Sequence, residues 1–104
     1  MTITCAYSVE AVGSIPIATL KSQLAGVPLD TTLFELTGLT LNSDSTASSG
    51  SQATRTISVN QTATFISNFG TNPTSQAAAV RGWMTAHIQA ALRSPVMEAT
   101  PVVT

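Results

Sequence analysis

The chain has 104 residues, the size of one small domain, and we expect a single domain over residues 1–104. Only 9% of the residues are charged and the formal net charge is −1, whereas soluble domains usually carry roughly 25% charged residues. This composition argues against a basic patch that binds nucleic acid by counterion release. It favours a protein whose surface is largely covered by partners.

The first segment, residues 2–12, predicts a β-strand. Apolar and polar side chains alternate along it, which is typical of a strand with one buried face, and Gly13-Ser14 predicts the turn that follows. Cys5 is the only cysteine, so it has no partner for an internal disulfide. We expect Cys5 to be buried on this strand, with an inter-subunit bridge as the alternative.

Residues 15–29 give a mixed pattern. Pro16 and Pro28 deny hydrogen bonds to a β-ladder, while the apolar residues between them fit one face of a short helix or an irregular strand. We expect an edge strand here, with a short helix as the alternative.

The next residues, 31–52, divide into two parts. Residues 31–42 carry apolar side chains on both faces, which favours a central or inter-subunit strand over a helix that begins at Asp30. Residues 42–52 are rich in Ser, Thr, Asp and Gly and predict an exposed loop.

A fifteen-residue alternation over residues 55–69 predicts a long strand with two unlike faces, bent or bulged near Asn60-Gln61. The odd positions are mostly apolar, and we expect them beneath a helix. They include Ile57, Val59, Ala63, Phe65 and Phe69. The even positions form a polar row of Thr56, Ser58, Asn60, Thr62 and Thr64.

Residues 73–93 predict a long helix. Asn72-Pro73 provides a cap and a first helical residue, and Ser94-Pro95 ends the helix because a residue before proline is pushed out of the α region. Apolar residues recur at three and four positions and form a stripe that should press onto the odd row of the strand, partly from a second subunit. We expect that a single subunit cannot bury this stripe and the odd row without an identical copy. The core or dimer candidates on this helix are Val80, Trp83, Met84, Ile88, Ala91 and Leu92. A second, short helix is expected over residues 95–99.

The sequence predicts no enzyme, no metal site and no cofactor. Its carboxylates are scattered, and it has neither a phosphate-binding glycine loop nor a paired Cys and His. His87 is alone beside the apolar stripe, so we assign it no metal or catalytic role. No apolar run approaches the roughly eighteen residues of a membrane span, and no signal peptide is recognisable. We therefore expect no membrane partner and synthesis in a cytoplasm.

A series of short motifs carries a resemblance to a known family. The motifs are Thr54-Arg55, Thr64-Phe65, Phe69 with Thr71, Ala79-Val80-Arg81, Ala86, Ala90-Ala91-Leu92 and Ser94-Pro95-Val96. In order and spacing they resemble the C-terminal third of the coat proteins of single-stranded RNA bacteriophages. The resemblance implies an α+β fold in which an antiparallel sheet is followed by two C-terminal helices, one long and one short. It also implies an intertwined homodimer, in which two five-stranded sheets join edge to edge about a two-fold axis and each copy's helices lie over the partner's sheet. Such dimers would build an icosahedral capsid around the RNA genome.

The resemblance also implies roles for the two faces of the long strand. One face would meet single-stranded RNA, mainly through hydrogen bonds rather than charge. The RNA-binding candidates are Arg55, Thr56, Ser58, Asn60, Thr62 and Thr64, and the dimer or core candidates are Ile57, Val59, Phe65 and Phe69 with the helix residues above. The implied location is the virion, assembled in the cytoplasm of a bacterial host. The alternative is a decoration or tail structural protein of a DNA phage, which shares the small size and low charge.

Overall fold

A computed structural model describes residues 2–11, 13–29, 34, 38–61, 73–92 and 95–104. The described chain is α+β, with an antiparallel sheet covered on one face by two helices, and this confirms the predicted class. We number the elements in chain order: β1 (Thr2–Glu10), α1 (Ile17–Ala25), β2 (Leu39–Ser49), β3 (Gln52–Gln61), α2 (Pro73–Ala91), β4 (Met97–Glu98) and β5 (Val102–Val103).

The sheet has the order β2-β3-β1-β4, and β5 also pairs with β1. β1 pairs antiparallel with β3 over the whole length of β1, so that Cys5 lies opposite Ile57. β4 and β5 both pair with the other edge of β1. β2 and β3 form a hairpin closed by the pair Ser49 and Gln52. The turn between them places Gly50 at φ 60, a conformation that favours glycine at the first position of a type II′ turn.

The core lies between the sheet and the two helices. Every second residue of β1 is buried, as the alternation of residues 2–12 predicts. Fully burying an Ile, Val or Leu side chain contributes roughly 1.5–3 kcal/mol, so these rows supply most of the cohesion. The core includes Ile3, Cys5, Tyr7, Val9, Leu20, Leu24, Ala53, Ile57, Val59, Val80, Met84 and Ile88.

Residues 17–25 form α1, so the expected edge strand at residues 15–29 is wrong and the alternative is correct. Leu20 and Leu24 are buried and lie four residues apart, the spacing of one helix face. Pro16 precedes the first turn, where its missing N–H costs no hydrogen bond. The predicted turn at Gly13-Ser14 is confirmed.

Residues 42–49 belong to β2, so the expected loop over residues 42–52 is wrong apart from the turn at residues 50 and 51. β2 contains one irregularity at Asn42, between the pairs formed by Leu41 and Ser43. The bulge therefore falls on β2, not at the predicted place in β3. The serines and threonines of β2 show no alternation of buried and exposed positions, because their side chains are exposed on both faces of the strand. The sequence therefore gives no sign of a strand here.

The C-terminal residues are extended, so the expected short helix over residues 95–99 is wrong. β4 and β5 run along β1, and the Ala99 N–H donates to the Ala6 carbonyl at 3.0 Å. Pairing with β1 satisfies backbone groups that an isolated single turn of helix would leave exposed. The long helix is confirmed from Pro73 to Ala91. The expected strand over residues 31–42 is correct for residues 39–42, which belong to β2, and wrong at Phe34, which is helical. The predictions for residues 31–33, 35–37 and 62–72 lie outside the described residues.

Candidate functional site

The face of the sheet opposite the helices is the candidate surface, and we call it the open face. The strand registers place three rows of small polar side chains on it. The rows are Thr2, Thr4, Ala6, Ser8 and Glu10 on β1, Gln52, Thr54, Thr56, Ser58 and Asn60 on β3, and Thr40, Ser43, Ser45, Ala47 and Ser49 on β2.

Cross-strand hydrogen bonds link neighbouring rows of the open face. The Thr2 Oγ1 hydroxyl donates to Asn60 Oδ1 at 2.7 Å, and the hydroxyls of Ser8 and Thr54 are 2.9 Å apart. The Thr4 hydroxyl donates to Ser58 Oγ at 3.4 Å. Each hydroxyl has one donor and two acceptor sites, so these pairs leave further hydrogen-bonding capacity. The open face is therefore ordered by its own contacts, and its half-buried hydroxyls can still bind a polar partner. Ser58 is the exception, because it is buried and accepts from both Thr4 and Asn42.

Charge is almost absent from the open face. Within the described ranges it carries one charged side chain, Glu10, and neither lysine nor arginine. Any ligand on this face is therefore recognised by hydrogen bonds and shape rather than by electrostatic attraction.

Three members of the predicted polar row, Thr56, Ser58 and Asn60, lie on the open face. Thr62 and Thr64 lie outside the described residues. The sequence alone does not indicate that this row adjoins the hydroxyls of β1 and β2. The alternation in residues 2–12 shows that β1 has a polar face, but the pairing of β1 with β3 cannot be read from either strand alone.

Arg55 lies on the covered face, apart from the polar row with which the sequence analysis grouped it. Its side chain is almost fully buried, and its odd position places it in one row with Ile57 and Val59. Nε and one terminal nitrogen donate to the two Asp44 oxygens at 2.9 and 2.6 Å. The other terminal nitrogen, Nη1, donates to the carbonyls of Leu24 and Val27 at 3.0 and 2.8 Å.

These contacts make Arg55 a clamp between α1 and the β2–β3 hairpin. A guanidinium matches a carboxylate with two parallel bonds, and the remaining nitrogen satisfies carbonyls at the end of α1 that the helix leaves free. These contacts lie within the fold, and the Arg55 side chain has no free donor directed toward the open face.

The predicted core residues of the covered face are mostly where the sequence placed them. Ile57, Val59, Val80, Met84, Ile88 and Leu92 are buried, and Trp83 packs half-buried at the border of the core. Ala91 is exposed, contrary to the prediction that it presses onto the sheet. Phe65 and Phe69 lie outside the described residues.

The apolar stripe of α2 is buried within a single chain. Val80 and Ile88 are 1% and 0% exposed without any second copy. The stripe therefore does not require a partner for its cover, which corrects the expectation that one subunit cannot bury it alone.

Tyr7 joins the sheet to α2, and the sequence analysis gave it no role beyond its place in an alternating strand. Its hydroxyl donates to the Arg81 carbonyl at 3.0 Å. Burial raises the pKa of the Tyr7 hydroxyl, and burial likewise raises the pKa of the Cys5 thiol. Cys5 is fully buried, as predicted, so its sulfur is not presented to a second chain.

His87 joins α2 to the segment after α1 through a hydrogen bond between Nε2 and the Pro28 carbonyl. In the part of the chain that the structure describes, no group of three or more His, Cys, Asp or Glu residues is arranged to hold a metal ion. No helix among the described residues is both long and apolar enough to cross a membrane. A groove of about 640 Å³ lies beside the end of α1 and is lined partly by Val27, Pro28 and Ala91.

Comparison of the chain with protein-family models, with curated proteins and with solved structures finds no match in any of the three. Function is therefore argued from the open face, the sheet edges and the resemblance carried by residues 54–96.

Proposed function

We propose that this chain is a structural protein of a virus particle, specifically the coat protein of a single-stranded RNA bacteriophage. It forms a homodimer in the bacterial cytoplasm, and the dimers assemble into an icosahedral capsid around the genome. The observation that carries the proposal is the open face, which presents hydroxyl and amide groups over three strands opposite a helix-covered face. The resemblance of residues 54–96 to phage coat proteins supports the same reading.

The open face is the proposed RNA-binding surface, and in its central row Thr56 and Asn60 are the accessible residues, because Ser58 between them is buried. Hydroxyl and amide groups bind phosphate oxygens, ribose hydroxyls and base edges. Because the described part of this face lacks cations, few counterions are released and affinity falls only slowly with salt. Each subunit then binds RNA weakly, and the genome is retained because many subunits of one shell bind it together.

In the coat-protein proposal the dimer is intertwined, with the helices of one copy lying over the partner's sheet. The intrachain burial of Val80 and Ile88 is compatible with such an exchange. Domain swapping replaces a contact within one chain by the identical contact between two chains. The swapped element would be α2, which is joined to β3 by residues 62–72.

A decoration or tail structural protein of a DNA phage is the second candidate. Two observations favour it: the described open face has no cation for RNA, and the order of elements departs from the one the resemblance implies. α1 stands between β1 and β2, and two strands follow α2. A part of this kind binds a protein lattice and has no need of nucleic acid.

Expression of the full chain in a bacterial host separates the two candidates. Electron microscopy of the purified protein, with nuclease protection and analysis of the bound nucleic acid, is the measurement. Closed shells that protect host RNA support the coat-protein proposal. Soluble monomers or trimers without RNA overturn it and favour the decoration or tail protein, and fibres point instead to a filament subunit.

A further inference from the structure

A pocket of about 470 Å³ lies between the first half of α2 and the C-terminal strands. Its volume is in the range of pockets that hold small molecules. Val103 of β5 pairs with Ile3, whose side chain is buried beneath the helices. The pocket therefore lies on the helix-covered side of the sheet, away from the open face. The lining residues are Ala77, Ala78, Arg81, Thr100, Pro101 and Val103.

Arg81 carries the only charge among these lining residues, and its charge is poorly matched within the fold. Nε lies 3.5 Å from Glu98 Oε1, beyond the roughly 2.7–3.2 Å of an N–H···O hydrogen bond. Nε is inaccessible to solvent and has no hydrogen-bond partner in the part of the chain that the structure describes. A buried donor without a partner is rare in folded proteins and calls for a physical explanation.

The two arginines that pack against the sheet differ in how completely they are bound. All three nitrogens of Arg55 donate to acceptors within 3.0 Å. The terminal nitrogens of Arg81, in contrast, make no hydrogen bond to any residue of the described ranges, and its side chain is partly exposed. Because a guanidinium carries five N–H donors, Arg81 retains donors for a molecule that enters the pocket.

The opposite wall of the pocket comes from the segment between β4 and β5. Thr100 is exposed there and adds one hydroxyl to the lining. The following residue is Pro101, whose ring is apolar and which has no N–H. Together with the alanines of α2 and the Val103 side chain, this wall makes most of the lining apolar. The pocket thus combines one cation with small apolar surfaces.

We propose that this pocket binds a small organic acid, whose carboxylate accepts hydrogen bonds from the terminal nitrogens of Arg81. The planar guanidinium matches a carboxylate with two parallel bonds. A short apolar group of the acid then lies against Ala78, Pro101 and Val103. Inorganic phosphate fits less well, because its remaining oxygens would face apolar walls without donors. The site does not depend on the proposed function, since neither RNA nor a second copy takes part in it.

Glu98 limits the affinity of the site without filling it. Its Oε1 lies on the Nε side of the Arg81 guanidinium, and its Oε2 contacts the Thr85 hydroxyl, so the terminal nitrogens stay accessible. A second carboxylate in the pocket is repelled by the Glu98 charge. We therefore expect a dissociation constant on the order of 1 mM for an acid of a few heavy atoms.

The first test compares four small probes on the full chain by saturation-transfer NMR, which works for a free chain and for an assembled shell. Butyrate should bind roughly tenfold more tightly than acetate, because each buried CH₂ group tightens binding roughly fourfold. Butyramide, its neutral analogue, should not bind detectably. Inorganic phosphate should compete with butyrate only weakly. Binding of butyramide or phosphate as tight as that of butyrate overturns the assignment of an organic carboxylate.

The second test removes the cation. Arg81→Gln should raise the butyrate dissociation constant at least roughly tenfold, since a charged hydrogen-bonding partner is lost. Arg81→Lys keeps the charge without the planar fork and should bind with intermediate affinity. Lys21→Gln on α1 is the matched control, because it makes the same change of charge away from the pocket. Wild-type affinity in a folded Arg81→Gln variant overturns the proposal.

A third test keeps Arg81 and fills the pocket instead. Ala78 is exposed on α2, so Ala78→Leu retains a good helix former while its larger side chain occupies the space of the ligand. Butyrate binding should weaken at least roughly threefold, as for one buried CH₂ group lost. Ala86→Leu, on the exposed surface of the same helix, is the control. Equal affinity of the two variants overturns the location of the site.

Glu98→Gln should have the opposite effect from the other changes. It removes the charge that repels the bound carboxylate, so butyrate should bind at least roughly twofold more tightly at low salt, and added salt should reduce this gain. Failure of Glu98→Gln to tighten binding overturns the position of the ligand at the terminal nitrogens of Arg81.

Discussion

The two faces of the sheet are made by alternate residues of the same strands, yet one set of side chains is buried beneath the helices and the other points away from them. On β3, Ile57 and Arg55 point to the helices and are almost fully buried, whereas Thr56 between them points away from the helices. Among the described arginines, only Arg55 on the covered face is both buried and hydrogen-bonded to α1 and to β2 within the fold. The comparison teaches that the buried charge of Arg55 serves the structure, while the described part of the open face carries a single charged side chain, Glu10.

The sharpest test of that contrast is Arg55→Ala against its neighbour Thr56→Ala. Removing the guanidinium leaves Asp44 and two backbone carbonyls without their partner, and breaking a buried pair typically costs about 3–5 kcal/mol. Asp44 retains partial exposure, so we expect a loss near the lower figure. Thr56→Ala should change the free energy of unfolding by about 0.5 kcal/mol or less. Urea unfolding measures the free energy of unfolding of both variants. Losses of similar size would contradict the different roles of the two faces.

The helix that covers the sheet offers a second comparison, between Ile88 and Ala91. Ile88 is fully buried and Ala91 is exposed. We expect Ile88→Ala to lower the free energy of unfolding by about 2–4 kcal/mol because it leaves a cavity in the core. Ala91→Ser is the control and should cost only about 0.5 kcal/mol. Thermal unfolding followed by circular dichroism measures both, and an effect of Ala91→Ser as large as that of Ile88→Ala would refute the packing of α2.

Alkaline pH should destabilise the covered face selectively through Tyr7. Burial raises the pKa of its hydroxyl in the folded protein, so the folded state binds this proton more tightly than the unfolded state does. The associated stability is complete below the unfolded pKa of about 10 and is lost as pH rises above it. Tyr7→Phe removes the part of this dependence that belongs to Tyr7 and leaves the part that belongs to Cys5, whose thiol pKa burial also raises. Unfolding free energies of wild type and Tyr7→Phe between pH 8 and 11 provide the measurement, and parallel curves would exclude Tyr7 as the cause.

The smallest expected effect on stability, and the most direct probe of the open face, is Thr56→Lys. A lysine there should leave the fold intact and steepen the dependence of RNA affinity on salt by roughly one unit of log–log slope. Ala86→Lys, on the exposed surface of α2, is the control with the same charge. Filter binding of single-stranded RNA across salt concentrations measures the slopes. An equal change for both variants would show that RNA does not favour the open face.

Elements with a clear hydrophobic period were predictable from the sequence, and elements without one were not. β1, β3 and α2 each place apolar residues at regular intervals because each buries one side. β2 was missed because its side chains are mostly exposed on both faces, so its sequence shows no hydrophobic period. α1 was missed because prolines occur both at the ends of helices and at sheet edges. The flanking prolines therefore do not distinguish a short helix from an edge strand.

The candidate site was predictable only in part. The polar row of β3 follows from alternation, but the neighbouring rows depend on which strands pair. Arg55 was assigned by its charge to a surface role. Its contacts come from residues 24, 27 and 44, distant in sequence, and no local pattern reveals them. The C-terminal strands are likewise stabilised by pairing with β1 and not by their own residues.

The position of Arg55 also has a consequence for cooperativity. One guanidinium holds the end of α1, the middle of β2 and the middle of β3 together. If α1 detached while the sheet stayed intact, this side chain would lose two acceptors in an apolar environment. Partial unfolding of that corner is therefore penalised, and amide hydrogen exchange in α1 should proceed through the same global opening as exchange in the hairpin.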